Sequence, residues 1–253
     1  MKKNFKCILA YDGTNYFGWQ KQNDCLTVQG VIEYCLEKIF NEKVNTMGAS
    51  RTDAGVHAFG QVFNFKVDTQ INEEGMKKIL NSLLPEDIVI KKVTIEDDKF
   101  YPRANVKKKF YRYLIYNAAF LPPVLRNYVW HIKEKIDINK FFEIIDLFKG
   151  IKDFYSFSSS GSEAKETRKE ILNLKIKKQN KFIIFDFIGK SFLYNMIRKI
   201  VGVFVEYSLN KITQKEIEMM FEKHDRSILK TIAPAVKNLE FFSYLLHLFV
   251  CQL

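Results

Sequence analysis

Apolar periodicity along this chain switches between strand and helix in an order that occurs twice. Lys3 to Tyr11 reads as a strand running into a Gly-containing loop, and "TVQGVIEYCLEKIFN" then sets Val28, Ile32, Cys35, Leu36 and Ile39 near helical spacing behind a Thr suited to an N-cap. "GQVFNFKVD" follows as a strand, "NEEGMKKILNSLL" as a helix and "DIVIKKVTIE" as a strand. The second half repeats the order loosely. The strand "KKKFYRYLIYN" alternates Phe110, Arg112 and Leu114 with Tyr111, Tyr113 and Ile115, which predicts one open aromatic face. After it come a helix in "NKFFEIIDLFKG", strands around "KEILNLKIKK" and "KFIIFDFIG", a long helix over "SFLYNMIRKIVGVFVEYSL", a polar helix "TQKEIEMMFEKH" and a closing strand "LEFFSYLLHLF". Such an order predicts an α+β fold of two halves, each a split β-α-β arrangement with a mostly antiparallel sheet and helices on one face. The boundary is expected near residues 100 to 107, where "KFYPRANVKKK" mixes Pro, Asn and charge, giving halves 1–104 and 105–253. No Gly/Ser linker separates them, so the halves are expected to pack closely rather than swing.

Charge points to a class of partner. The 40 Lys+Arg against 29 Asp+Glu leave a net +11, which favours a polyanion such as nucleic acid or an anionic membrane surface. Of those cations 33 are Lys and 7 are Arg, so each Arg becomes a candidate for the bidentate grip on carboxylate or phosphate that Lys makes poorly. They are Arg51, Arg103, Arg112, Arg126, Arg168, Arg198 and Arg226. Cys7, Cys25, Cys35 and Cys251 share no CxxC spacing, which reads as reduced core thiols and no zinc site. The apolar run after the basic start, Cys7 to Ala10, is too brief for a signal peptide, and no run approaches the roughly 18 residues of a spanning helix. A soluble, cytoplasmic chain is expected.

The stretch "GASRTDAGVHAFGQ", Gly48 to Gln61, sets Asp53 among small residues. Two readings stand on spacing alone. Asp with flanking Gly and Ala builds tight turns. Alternatively, Asp53 is a nucleophile or general base held ionised by Arg51, which in an extended segment projects to the same side, with small neighbours leaving room for a bulky substrate. Chemistry narrows the second reading, because a glycosidase ordinarily needs two flanking carboxyl groups and this loop offers one. An isomerisation at the anomeric carbon of a nucleoside, with uracil as leaving group and returning nucleophile, needs one carboxylate and a pocket, and consumes neither water nor cofactor.

"GASRTDAGVHAFGQV" resembles the active-site motif of the TruA family of tRNA pseudouridine synthases, and the resemblance extends along nearly the whole chain. It includes "LAYDGTNYFGWQKQ" and "TVQG", "FYRYLIYN", "DFYSF" at Asp153 to Phe157, "FLYNMIRKIVG" at Phe192 to Gly202, and "TIAP" at Thr231 to Pro234. For the fold it implies two ferredoxin-like halves whose sheets form a central sheet, with a basic active-site cleft between them. For the site it implies Asp53 as the catalytic nucleophile, attacking either the ribose C1′ or the uracil ring. By the same match Arg198 contacts that carboxylate, Arg51 guides the nucleotide, and Tyr111 stacks on or hydrogen-bonds the target uracil. It further implies a homodimer acting without metal or organic cofactor on uridines at positions 38 to 40 of the tRNA anticodon arm.

Lys107, Lys108, Lys109, Arg103, Arg168 and Lys190 are the expected phosphate contacts, while His57 is expected to serve loop structure and Trp19 to pack in a core. Two departures stand out. Tyr101-Pro102 replaces the usual His-Ala before Arg103, and Asn238 stands where a Gly commonly follows the "AP" turn. Neither touches the Asp53 loop.

The competing readings are a non-catalytic RNA-binding protein of the same fold and a hydrolytic N-glycosidase. The first leaves Asp53, Arg51, Tyr111 and Arg198 without a reason to be present together. The second lacks its other carboxylate.

Overall fold

The computed structural model describes residues 2–159 and 166–235, and the chain divides into two compact units at Lys107/Lys108. The first contains β1 (Lys2–Tyr11), α1 (Val28–Phe40), β2 (Met47–Gly48), β3 (Ala58–Asp68), α2 (Glu73–Leu83), β4 (Ile88–Glu96) and the short α3 (Pro102–Asn105). Its strands lie in the order β2-β3-β1-β4, every neighbouring pair antiparallel. Each helical crossover therefore joins two strands with a third between them, the split β-α-β arrangement. Local chemistry sets the helix ends. The Thr27 side chain accepts from the Gly30 amide, and Asn41, in the left-handed region, ends α1. At α2 the Asn72 side chain accepts from the Gly75 amide, with Glu73 and Glu74 in the first turn facing the positive end of the helix dipole.

Period-two alternation buries Phe5, Cys7, Leu9 and Tyr11 of β1 with Phe63, Phe65 and Val67 of β3, against Val28, Ile32, Cys35 and Leu36 of α1 and Met76 and Leu80 of α2. An aromatic row threads this core, Phe5 stacking on Phe65, Phe65 on Phe63, then Phe63 meeting Trp19 and Trp19 meeting Tyr11. Cys7 and Cys35 are free, buried thiols whose pKa burial raises, as core thiols should be. Cys251 lies outside the described residues.

The second unit contains β5 (Lys109–Asn117), β6 (Trp130–Ile132), α4 (Ile138–Ile144) with a following 3-10 turn, β7 (Gly150–Asp153), β8 (Arg168–Gln179), β9 (Phe182–Gly189), α5 (Met196–Ser208) and α6 (Gln214–Lys223). Its sheet runs β6-β5-β9-β8-β7, antiparallel except for the β5–β6 pair. The succession β5, α4, β8, β9, α5 repeats that of the first unit, and β5-β9-β8 matches β1-β3-β2. The expected closing strand "LEFFSYLLHLF" lies outside the described residues. The α+β class and the antiparallel pairing are as the periodicity predicts.

Three details differ from the sequence expectation. Short β2, β6 and β7 carry too few residues to show a period and were not anticipated. The long helix starts at Met196 rather than Ser191, because Asn195 adopts φ 60°, a left-handed conformation that interrupts the helix. The aromatic side of β5 is not open. Tyr113 and Ile115 are buried in a core with Phe141, Phe185, Phe187 and Phe204, and only Tyr111 is half-buried. α4 and α5 cover this face of β5.

On the other face of β5, Arg112 makes the two-pronged contact its residue type suggests, Nε donating to Asp186 Oδ1 at 2.6 Å and Nη2 to Oδ2 at 2.8 Å, both side chains nearly buried. Removing one partner leaves the other charge buried and uncompensated. Asp186→Ala is therefore expected to cost about 3–5 kcal/mol in urea unfolding, and Asp186→Leu with Arg112→Leu much less than either single change.

Candidate active site

Residues 49–57 carry no helix or strand, yet their backbone is pinned at nearly every step. The Ala49 amide donates to Val62 O at 2.8 Å, and the Gln61 side chain donates to Ser50 O at 2.6 Å. Thr52 O accepts from the Trp19 amide at 3.1 Å, and Thr52 Oγ1 shares a 2.8 Å hydrogen bond with the Tyr11 hydroxyl. Asp53 O accepts from the Val56 amide at 3.2 Å, and Gly55 sits at φ 77°, so Asp53 is the first residue of a β-turn that requires glycine at its third position. The Gly55 amide donates to Tyr16 O at 3.1 Å. The turn reading of this stretch holds, since Asp53 opens a β-turn and carries a half-buried side chain on a loop pinned by these hydrogen bonds. Arg51 is an exposed side chain on a loop without strand geometry.

Most of these anchors come from "YDGTNYFGW", and two glycines make the approach possible. A Cβ on Gly13 would lie 2.0 Å from Val56 O, and one on Gly18, at φ 84°, would lie 2.4 Å from Thr52 O and 3.0 Å from the Asp53 carbonyl carbon. Only bare backbone fits there. Trp19 is buried at 1% exposure, its indole against Gly48, which bears out its reading as a packing residue. His57 is buried and serves the loop as expected. Its Nδ1 lies 3.1 Å from the Gly13 amide and also 3.1 Å from Asp12 Oδ1. The amide hydrogen is fixed by the backbone while the imidazole proton is not, so Nδ1 is assigned as the acceptor from Gly13.

In the second unit, Tyr111 on β5 meets Phe192 edge to face with ring centroids 5.2 Å apart. Arg198 lies in the first turn of α5, Nε donating to Ala233 O at 2.7 Å and Nη1 to Asn195 Oδ1 at 2.8 Å. The segment 231–234 closes on α5 at Gly202, where a Cβ would come within 2.3 Å of Thr231 O. Beside it the Tyr113 hydroxyl donates to Pro234 O at 2.7 Å; burial pushes its pKa well up, with the Arg198 charge opposing. Lys199 is no solvated helix charge. Its ammonium is buried, donating to Ser158 O at 2.7 Å and Ser156 O at 3.3 Å, and burial followed by the Arg226 charge lowers its pKa. Arg51 and Asp53 thus share the first unit's loop, and Tyr111 and Arg198 stand on neighbouring elements of the second.

Several residues that build these sites were missed at the sequence level: Gly13, Gly18, Gln61, Asn195, Lys199 and Gly202. The glycines carried a usable signal, two of them five apart in a short aromatic stretch. The expected phosphate contacts Lys107, Lys108, Arg103, Arg168 and Lys190 are all exposed and Lys109 half-buried. Tyr101-Pro102 opens α3, which the Tyr101 hydroxyl ties to Met47 and Arg103 Nε ties to Gly48 O at 3.3 Å. Asn238 lies outside the described residues.

Comparison with known proteins agrees with these motifs. The tRNA pseudouridine synthase family matches residues 8–102 and 144–244. A tRNA pseudouridine synthase A of Acetivibrio thermocellus is 42% identical over 92% of this chain and 96% of its own length. Those of a Thermoanaerobacter species and of Caldicellulosiruptor saccharolyticus are 40% and 41% identical, each over 92% of this chain and 95% and 96% of theirs. Identity of this order over nearly full length, with the Asp53 turn and the Arg198 segment built as described, establishes that the chain belongs to the tRNA pseudouridine synthase family.

Proposed function

We propose that the protein converts uridine to pseudouridine at positions 38 to 40 of the tRNA anticodon arm, with Asp53 as its catalytic nucleophile. The observation that carries this reading is the Asp53 turn itself, a carboxylate on backbone pinned from both sides in a chain of this family. Such fixing is what positioning a nucleophile to within a fraction of an ångström demands. In the reaction the N1–C1′ bond breaks, the uracil turns, and a C5–C1′ bond forms. The proton on C5 leaves and N1 gains one, so atoms and electrons balance without water or cofactor. Asp53 adds to either C1′ or the ring and is released unchanged at the end.

The N-terminal half carries the Asp53 loop, and the C-terminal half the tyrosine and arginine that work with it. In this reading Arg198 partners the catalytic carboxylate, Arg51 guides the nucleotide, and Tyr111 offers its ring to the flipped uracil. The exposed Lys and Arg side chains supply a salt-sensitive grip on the phosphates of a homodimer's tRNA. The net charge of +11 supports a polyanionic substrate. Selection among uridines by shape and flexibility suits an RNA stem-loop.

Incubation with an unmodified tRNA transcript, followed by chemical mapping of pseudouridine, tests the reading. Isomerised uridine without free uracil is expected, abolished in Asp53→Asn with RNA binding retained. Binding with no product from the unmutated protein points to a non-catalytic RNA binder, and released uracil to a glycosidase. Tyr111→Leu should cost ~1–3 kcal/mol in kcat/KM through the lost aromatic face, and Tyr111→Phe tells stacking from hydrogen bonding. Gly18→Ala, which drives a methyl into the Thr52–Asp53 backbone, should lower kcat at least about tenfold in the same assay.

A further inference from the structure

We infer that Asn195, seated by Ser159, is a positioning residue that sets the plane of the Arg198 guanidinium for the reaction. The inference rests on the proposed role of Arg198 in holding the catalytic carboxylate. Arg is a planar fork on a flexible stem, and one hydrogen bond leaves that plane free to rotate. Here two different nitrogens are held, Nε by Ala233 O at 2.7 Å and Nη1 by Asn195 Oδ1 at 2.8 Å. Two acceptors on a rigid fork define its plane.

Asn195 is diverted to this task from its local one. Asn is among the best N-cap residues, and Asn195 occupies the N-cap position of α5. Its side chain nevertheless makes no cap hydrogen bond. The backbone adopts φ 60° and ψ 5°, the left-handed conformation that Asn tolerates better than most residues. Oδ1 then meets Arg198, and Nδ2 donates to Ser159 Oγ at 2.9 Å. The amide orientation follows from chemistry, since a guanidinium only donates and the atom facing it must be oxygen.

Ser159 is itself seated. Its amide donates to Tyr194 O at 3.1 Å, and the turn before it is held by Lys199 through Ser158 O and Ser156 O. On the other side Ala233 is fixed in the reverse sense, its own amide donating to Arg198 O at 3.2 Å. The clamp thus draws together Ser159, just after "DFYSF", with "FLYNMIRKIVG" and "TIAP".

The test uses the full-length protein, with release of tritium from tRNA transcribed with [5-³H]uridine as the rate and filter binding and thermal unfolding beside it. Asn195→Gly keeps the left-handed backbone at no steric cost and deletes only the clamp. Its kcat is expected to fall about tenfold, with KM for tRNA within about twofold and the melting temperature close to that of the parent. Asn195→Ala should lose as much kcat and also melt earlier, and Ser159→Ala should fall in kcat by less. The decisive comparison is with Arg198→Ala. If Asn195 acts through Arg198, adding Asn195→Gly to Arg198→Ala lowers the rate no further. Full losses that multiply in the double variant overturn the clamp, as does an Asn195→Gly protein whose kcat stays within about twofold of the parent. An Arg198→Ala protein as active as the parent overturns the reading of Arg198 itself, and the clamp with it.

Discussion

The Asp53 loop depends on how closely one stretch of backbone can approach another. Residues 49–57 form neither helix nor strand, so their polar groups find partners elsewhere, and most of those partners lie between Tyr11 and Trp19. At Gly13 and Gly18 the two segments come nearer than any Cβ allows. The aromatic row from Phe5 to Trp19 and Tyr11 ties the same stretch into the core of the first sheet. A loop is ordinarily the most mobile part of a domain. This one is built with the hydrogen-bond density of an ordered element.

The second unit fixes a side chain by another route. Arg198 belongs to a regular helix, but a helix fixes its backbone and leaves a long side chain free. The remaining freedom is removed by a residue in an unusual backbone conformation, Asn195, and by an irregular segment brought in over Gly202. Lys199 and Arg112 show what the other cations do. One staples the 156–158 turn from inside, and the other pairs with Asp186 within the sheet. A cation's place in sequence does not say whether it meets RNA, a carbonyl or a carboxylate.

Much of the fold was legible because long elements announce their period. β1, β3, α1, α2, β8 and β9 lie where alternation and capping put them, since each must bury one face. Two-residue and three-residue strands have no period to read. The start of α5 was misplaced because the run from Ser191 is apolar and helical in spacing, whereas the interruption at Asn195 arises from hydrogen bonds to Ser159 and Arg198 that no local pattern encodes. Likewise Tyr111 and Tyr113 share one face of β5, and only packing separates a half-buried ring from a buried one.

By itself the sequence determined the α+β class, the repeated order of elements, the basic surface and the family, because periodicity, composition and motif order are properties of the chain. It marked Asp53 as a residue in a small-residue turn. Tertiary structure alone decided that this turn is pinned by Gly13 and Gly18 and that Arg198 is clamped between Asn195 and Ala233. It also decided that Lys199 is buried. Each of these depends on segments distant in sequence meeting within a few ångströms, and distances of that kind exist only after the chain has folded.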